Sequence, residues 1–272
     1  MSRDIIPAAT FRRQSWRRAL GNFALLKARH CDGQLVSMHQ SGTHWLKFML
    51  ANALAHRYDI PPPRYNHAND IIGGPKDPVQ YPAIPCLKAS HSMPHPLLRH
   101  AIVHDRLALP HYVVLVRDLR AALVSNYAKW AARYDEPFSV YLRGDPRGKR
   151  YNSDVWWAIR FLNAWGELLE RLPARVMLLR YEDLRADSAR ELARVATHFA
   201  LDLGAADIAH GVAVSGKAAM AAKDDPSRPP GAVRATAANP LDEFAAADRA
   251  FLIDVCARHL RHPLGYDYTH WG

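Results

Sequence analysis

Three short apolar runs constrain this chain more than anything else in it: Leu35-Val36-Ser37-Met38, Tyr112-Val113-Val114-Leu115-Val116 and Val176-Met177-Leu178-Leu179. Each has strand length and gives way to polar residues and then a helical pattern. Unbroken hydrophobicity of this kind is what a strand covered on both faces of a parallel sheet needs. Helical spacing follows the first run at Leu46, Met49, Leu50, Ala53 and Leu54, and the second at Ala121, Val124, Tyr127, Ala128 and Ala131. Further helices are predicted over Ser153 to Arg171, with Trp157, Phe161, Trp165 and Leu168 on a core face, and over Leu241 to His259. The fold class is therefore α/β: a single domain with a central, mostly parallel sheet flanked by helices. The 272 residues are enough to bury a sizeable core for it.

Residues 1–33 read as a basic helical extension ahead of an α/β domain over 34–272. Within the extension, Phe11 to Arg29 has the pattern of a basic amphipathic helix. We expect it to pack on the domain edge through Trp16, Leu20 and Phe23 rather than lie on a membrane surface. The longest apolar stretch there, Ala19 to Leu26, is broken by Gly21 and Asn22 and is too short to span a bilayer. Three segments, 59–85, 133–152 and 223–240, read as long irregular connections, the usual material of lids and substrate-binding walls.

Lys and Arg number 36 against 26 Asp and Glu, a formal charge of +10 that favours an anionic partner. Nucleic acid is not expected, because no helix-turn-helix, zinc-finger or RNP pattern accompanies the charge. Cys31, Cys86 and Cys256 are widely separated, which excludes a disulfide framework and a cysteine zinc site and points to a cytoplasmic protein. His91 and His95, and His100 and His104, have helical metal-pair spacing, but Pro94 interrupts the first pair and no acidic or cysteine partner accompanies the second, so no metal is expected.

In an open parallel sheet the ligand lies beyond the carboxyl ends of the strands. The loop His39-Gln40-Ser41-Gly42-Thr43-His44-Trp45 follows the first strand and opens the first helix. Backbone N–H groups and the positive helix end converge there, Gly42 allows close approach, and Ser41 and Thr43 add hydroxyls. On its own the segment reads either as a P-loop-like phosphate cradle or as a simple capped turn, and the G-x-x-x-x-G-K-[ST] pattern of ATP-dependent enzymes is absent. After the second strand, Arg117 offers a bidentate fork and Ser125 a hydroxyl two turns into the next helix. Two adjacent anion sites suggest a ligand with two separated phosphates.

These residues resemble the sulfotransferases that use 3′-phosphoadenosine 5′-phosphosulfate (PAPS). Ser41-Gly42-Thr43-His44-Trp45 resembles their K-S-G-T-T-W loop, Arg117 to Tyr127 their R-[ND]-P-x-D-x-x-x-S-x-Y segment, Arg180-Tyr181-Glu182-Asp183-Leu184 their Y-E-D-L strand end, and Leu264-Gly265-Tyr266 their terminal L-G-Y. The matches run in order from about residue 34 to the end of the chain. The resemblance implies that Gln40, Ser41, Gly42, Thr43 and His44 surround the 5′-phosphate, that Trp45 stacks on adenine, that Arg117 and Ser125 hold the 3′-phosphate, and that Tyr181 reaches the adenine region. Arg234 stands in the stretch equivalent to the family's closing basic loop.

Sulfuryl transfer needs a base to take a hydroxyl proton and positive charge to receive the leaving phosphate. Leu87 to Pro94 resembles the family's K-T-H-L-P, which implies His91 as the base assisted by Lys88, here with one extra residue between them. Residues three apart on a strand do not share a face, so the chain has to bend to bring both to the substrate. Gln40 stands where the family has a lysine, and we expect a protonated His44 to restore that charge. The leading function is sulfuryl transfer from PAPS, with PAP as product, to a hydroxyl of a small-molecule, glycan or lipid acceptor. The alternative is a PAP- or PAPS-binding protein with impaired catalysis.

Overall fold

The computed structural model describes residues 5–27, 30–227 and 239–271. Four strands, β1 (Gly33–Ser37), β2 (Leu87–Ser90), β3 (His111–Val116) and β4 (Val176–Arg180), form one sheet in the order β2-β1-β3-β4. Every pairing is parallel. The three apolar runs are β1, β3 and β4. The strand that hydrophobicity did not announce is β2, whose burial falls off toward Ser90. It lies at the sheet edge, where only a short bridge from Gly73 covers its outer side.

Alternation along the strands builds two cores, one on each face. Leu35, Val113, Leu115 and Leu179 point to one side, while Val36, Tyr112, Val114 and Val116 point to the other. The helices that cover them are, in chain order, α1 (Ala8–Leu20), α2 (Ala24–Lys27), α3 (Thr43–Tyr58), α4 (Ala101–Arg106), α5 (Leu119–Tyr134), α6 (Phe138–Arg143) and α7 (Val155–Arg171). They are followed by α8 (Tyr181–Ala186), α9 (Ser188–His198), α10 (Ala205–Ala213), α11 (Lys217–Ala222) and α12 (Ala246–His259). α3, α9 and α10 close the first face through Met49, Leu50, Val195 and Ile208; α7 and α12 close the second through Trp156, Trp165 and Phe251. Side-chain caps set three α-helix starts: Asp118 accepts from the Arg120 amide at α5, Asp154 from the Trp157 amide at α7, and Asp187 from the Arg190 amide at α9.

Four expectations need correction. The segment 133–152 is not wholly irregular, because Phe138, Tyr141 and Leu142 drive α6 into the core; six residues are too few to show a helical period. The last helix begins at Ala246, after a separate 3-10 turn over Pro240–Glu243. The sequence reading also had no helices over 188–222, where α9 to α11 lie. The N-terminal segment is two helices rather than one, since α1 ends at a Gly21 cap. It docks through Phe11, which meets the rings of Trp156 and His259, and through Leu25, while Trp16, Leu20 and Phe23 are exposed. Phe11, Ser15 and Ala19 share the packed side at helical spacing, which turns Trp16 and Leu20 outward.

No helix among the described residues is long and apolar enough to cross a membrane.

Candidate active site

The parallel register decides what meets at the carboxyl edge of the sheet. Val36 pairs with Ser90, so the next residues, Ser37 and His91, leave their strands side by side. The His91 Nδ1 is 2.8 Å from the Ser37 carbonyl oxygen, to which it donates. A carbonyl can only accept, so this bond fixes the proton on Nδ1 and leaves the lone pair of neutral His91 on Nε2. The Ser37 hydroxyl is 3.2 Å from the same Nδ1 and accepts from Thr43 Oγ1 at 2.7 Å. Thr43 thus braces the ring from the start of α3.

His91 is open to the cavity but crowded on its other sides. Burial lowers its pKa below the ordinary histidine range, the Ser37 bond works against that shift, and Lys129 and Lys47 add to it. The imidazole is therefore neutral at neutral pH. His39, directly after β1, stacks on it with ring centroids 4.0 Å apart and planes 25° apart. Burial, with smaller contributions from His91 and Lys129, drives His39 down to about 3.

His91 opens onto a cavity of about 460 Å³ that also takes in Gly42, Thr43, His44, Trp45, Arg117, Ser125 and Tyr181. Gly42 precedes α3 at φ 91° and caps it with no side chain, so the first-turn N–H groups face the cavity mouth. Any other residue there would meet Tyr181 Cδ2 at 2.8 Å. Gln40 also has a left-handed backbone, with φ 62°. Its carbonyl accepts from Arg117 Nη1 at 3.1 Å, and its side-chain oxygen lies 3.5 Å from Ser125 Oγ.

Arg117 lies 4.6 Å over the Tyr181 ring and keeps a buried Nε with no hydrogen-bond partner. Asp118 does not neutralise it; that carboxylate is taken by Arg120 at 2.6 Å. Arg117 therefore brings to the cavity wall a guanidinium with no carboxylate partner among the described residues. Trp45 donates from Nε1 to the Ser215 carbonyl at 3.1 Å and meets Tyr181 edge-on. The terminal L-G-Y is tied to this region, since Tyr266 donates to Glu182, the neighbour of Tyr181.

Three predicted residues sit differently from their expected roles. Ser41 is fully buried and its hydroxyl is turned inward to the Met38 carbonyl at 2.6 Å, so the loop keeps it as a brace rather than a phosphate donor. Lys88 is buried and gives its ammonium to the Asp77 carbonyl at 2.6 Å; it is not part of the cavity. The spacing of three is the reason: with His91 just past the strand end, Lys88 faces the outer edge. His44 lines the cavity, but burial, followed by Lys47 and Lys129, holds it down to about 3, so the charge expected of it is absent in the free protein. Arg234 lies outside the described residues.

The sequence reading placed His39 in the loop but assigned it no role, and did not single out Lys129, Arg185, Asn66, Lys217 or Met220, all on the cavity wall. Lys129 and Arg185 each stand one helical turn after a predicted residue, Ser125 and Tyr181, and that spacing was a usable signal. Met220 and Lys217 come from α11, which no strand-end rule reaches.

The fold and this site define a class: a parallel α/β protein with a P-loop-like anion cradle and a neutral histidine beside it. The family described as "Sulfotransferase domain" matches residues 32–206, and the chain belongs to that family. No curated protein sequence matches it. Among solved structures, mouse sulfotransferase SULT7A1 complexed with PAP is similar at TM-score 0.55 and 14% identity, covering 92% of this chain and 91% of that one. Retinol dehydratase in complex with retinol and PAP is similar at TM-score 0.54 and 15% identity, over 87% and 83% of the two chains. The same enzyme in complex with androsterone and PAP gives 0.52 and 16%, over 86% and 82%.

Proposed function

We propose that the protein transfers the sulfuryl group of PAPS to a hydroxyl of a small acceptor, with His91 as general base. The observation that carries this reading is the Nδ1 bond to the Ser37 carbonyl, which leaves an unprotonated Nε2 in the cavity of the anion cradle. Nε2 takes the acceptor O–H proton as the acceptor oxygen forms its bond to sulfur. The bond from sulfur to the 5′-phosphate oxygen breaks, and its electron pair stays with the phosphate, giving PAP.

The residues fit such a donor. The open first turn of α3, with Gly42, Thr43 and His44, suits the 5′-phosphate, where the helix end favours negative charge. Arg117, a guanidinium on the cavity wall that no carboxylate neutralises among the described residues, and Ser125 suit the 3′-phosphate. Trp45 and Tyr181, with Met220 opposite, suit a purine ring. Lys129 shares the cavity wall with Arg117, Arg185 and Lys217; its charge reaches His39, His44 and His91, and it stands in for the charge that Gln40 lacks. Arg234 is kept as a further contact to the 3′-phosphate. Retinol and androsterone, found in two of the similar structures, support a small hydroxyl compound as acceptor.

The test is to incubate the protein with PAPS and a panel of alcohols, phenols and glycans, measuring PAP release and sulfated product. His91→Asn is expected to lower turnover by on the order of a hundredfold or more while PAP binding is retained. PAP binding without turnover on any acceptor would instead favour the reading of a binding protein with impaired catalysis.

A further inference from the structure

The exposed face of α1 is unlike the rest of the surface. Trp16 is 53% exposed, Leu20 37% and Phe23 49%, within a single stretch of eight residues. At 100° per residue, Trp16 and Leu20 project side by side from the side of α1 opposite Phe11. Arg12 flanks them on one edge and Arg13 and Arg17 on the other. The helix contains no acidic residue, and those three arginines have no ion pair among the described residues. A charge-free apolar ridge bordered by unpaired arginines is costly to leave in water and serves no packing role here.

The ridge continues beyond the helix. Phe23 stacks on His95 with centroids 4.9 Å apart, and the His95 ring bonds to the Leu20 carbonyl at 3.1 Å. His95 caps the 3-10 turn Pro96–Arg99, on which α1 rests and where Leu97 is 48% exposed. Ile102, on the adjoining α4, is 63% exposed. Five of the seven large apolar side chains exposed among the described residues thus come from this corner.

We infer that this corner is a docking surface for anionic phospholipid membranes. Trp16, Leu20 and Phe23 enter the headgroup and acyl boundary, and Arg12, Arg13 and Arg17 pair with lipid phosphates. Charge complementarity favours a negative surface, and the aliphatic members of the ridge favour hydrocarbon over the stacked bases of a nucleic acid. No described helix could span a bilayer, so attachment is peripheral. The corner also touches the catalytic loop: Asn22 donates to the Met93 carbonyl at 2.8 Å, two residues past His91. The inference does not depend on the sulfuryl-transfer reading.

Vesicle flotation tests it directly with the full chain. Binding to phosphatidylcholine vesicles containing phosphatidylglycerol is expected, with little binding to phosphatidylcholine alone and a strong decrease at high salt. The Trp16→Ser/Phe23→Ser variant should bind at least tenfold more weakly with an unchanged circular-dichroism spectrum. Trp16 fluorescence should be quenched by brominated acyl chains, a signal lost in Trp16→Phe. Absence of vesicle binding, or binding that survives both serine substitutions, would overturn the inference. So would a concentration-dependent dimer that the same substitutions abolish, or nucleic-acid binding that displaces the vesicles.

Discussion

The imidazoles of His39 and His91 stack at 4.0 Å, and Trp157 meets the outer partner, His39, at 4.6 Å. The stack therefore buttresses one face of the His91 ring, while Ser37, whose hydroxyl accepts from Thr43, holds its Nδ1 edge. The two rings lie in contact and burial opposes charging either one: His39 is held down to about 3, and His91 is lowered from the ordinary histidine range.

This predicts distinct outcomes at position 39. His39→Phe preserves a flat ring and should keep turnover within a few-fold. His39→Ala frees the base and should cost on the order of tenfold in kcat, since catalytic geometry is sensitive to small displacements. Steady-state kinetics across pH 5 to 8 checks both: the wild type should show no acid limb above about 6.5, because His91 must be neutral to act and its pKa is lowered.

The same groups set a pH dependence of stability. His39 and His44 take up a proton near 6.5 when unfolded but only near 3 when folded, so the unfolded state binds more protons between those values. Stability should be flat above about 6.5 and fall as pH drops toward 3. Urea denaturation at a series of pH values should show this slope, reduced in His39→Phe.

Arg117→Ala should weaken PAP binding by about 10- to 100-fold, the loss expected when a charged hydrogen-bond donor is removed. Arg117→Lys should recover little, because an ammonium lacks the planar fork that rests on Tyr181 and reaches the Gln40 carbonyl. Isothermal titration with PAP measures both.

Gln40→Lys should raise the single-turnover rate by on the order of tenfold or more, by adding a cation beside the 5′-phosphate position. The gain should be larger in a Lys129→Met background, where one of the cavity-wall cations is removed. Rapid-quench measurement of PAP formation reads this; no gain in either background would mean that leaving-group charge is already met.

Gly211→Ala probes the fold instead. A Cβ there would lie 2.6 Å from the Met49 carbonyl oxygen, a backbone atom that cannot move aside, where α10 crosses α3. We expect about 1–3 kcal/mol of destabilisation, seen as a lower Tm in thermal denaturation.

Much of this was legible in one dimension. A short apolar run of strand length followed by polar residues and a helical pattern is what a parallel strand looks like, so β1, β3 and β4 and the α/β class followed from Leu35 to Met38, Tyr112 to Val116 and Val176 to Leu179. The cradle was legible too, since Ser41-Gly42-Thr43 between a strand and a helix is a local feature. By contrast β2 carries no such run because Lys88 and Ser90 interrupt its four residues, and α6, α8 and α11 are six residues each, too short for a period to stand out; α9 did carry one, in Leu192, Val195, Ala196 and Phe199.

Side-chain direction was decided only by tertiary structure. The register of β1 against β2 sets Ser37 beside His91, and so fixes which nitrogen holds the proton. It also places Lys88 on the outer edge, and loop closure turns the Ser41 hydroxyl inward; neither follows from residue type. Sequence marked a basic, amphipathic helix from Phe11, which α1 forms as far as Leu20. Which side of that helix found the core depended on the space between α7 and α12, which accepts Phe11 and leaves Trp16 and Leu20 in solvent. Periodicity defines a face, but only the packed partner determines whether it is the face that is buried.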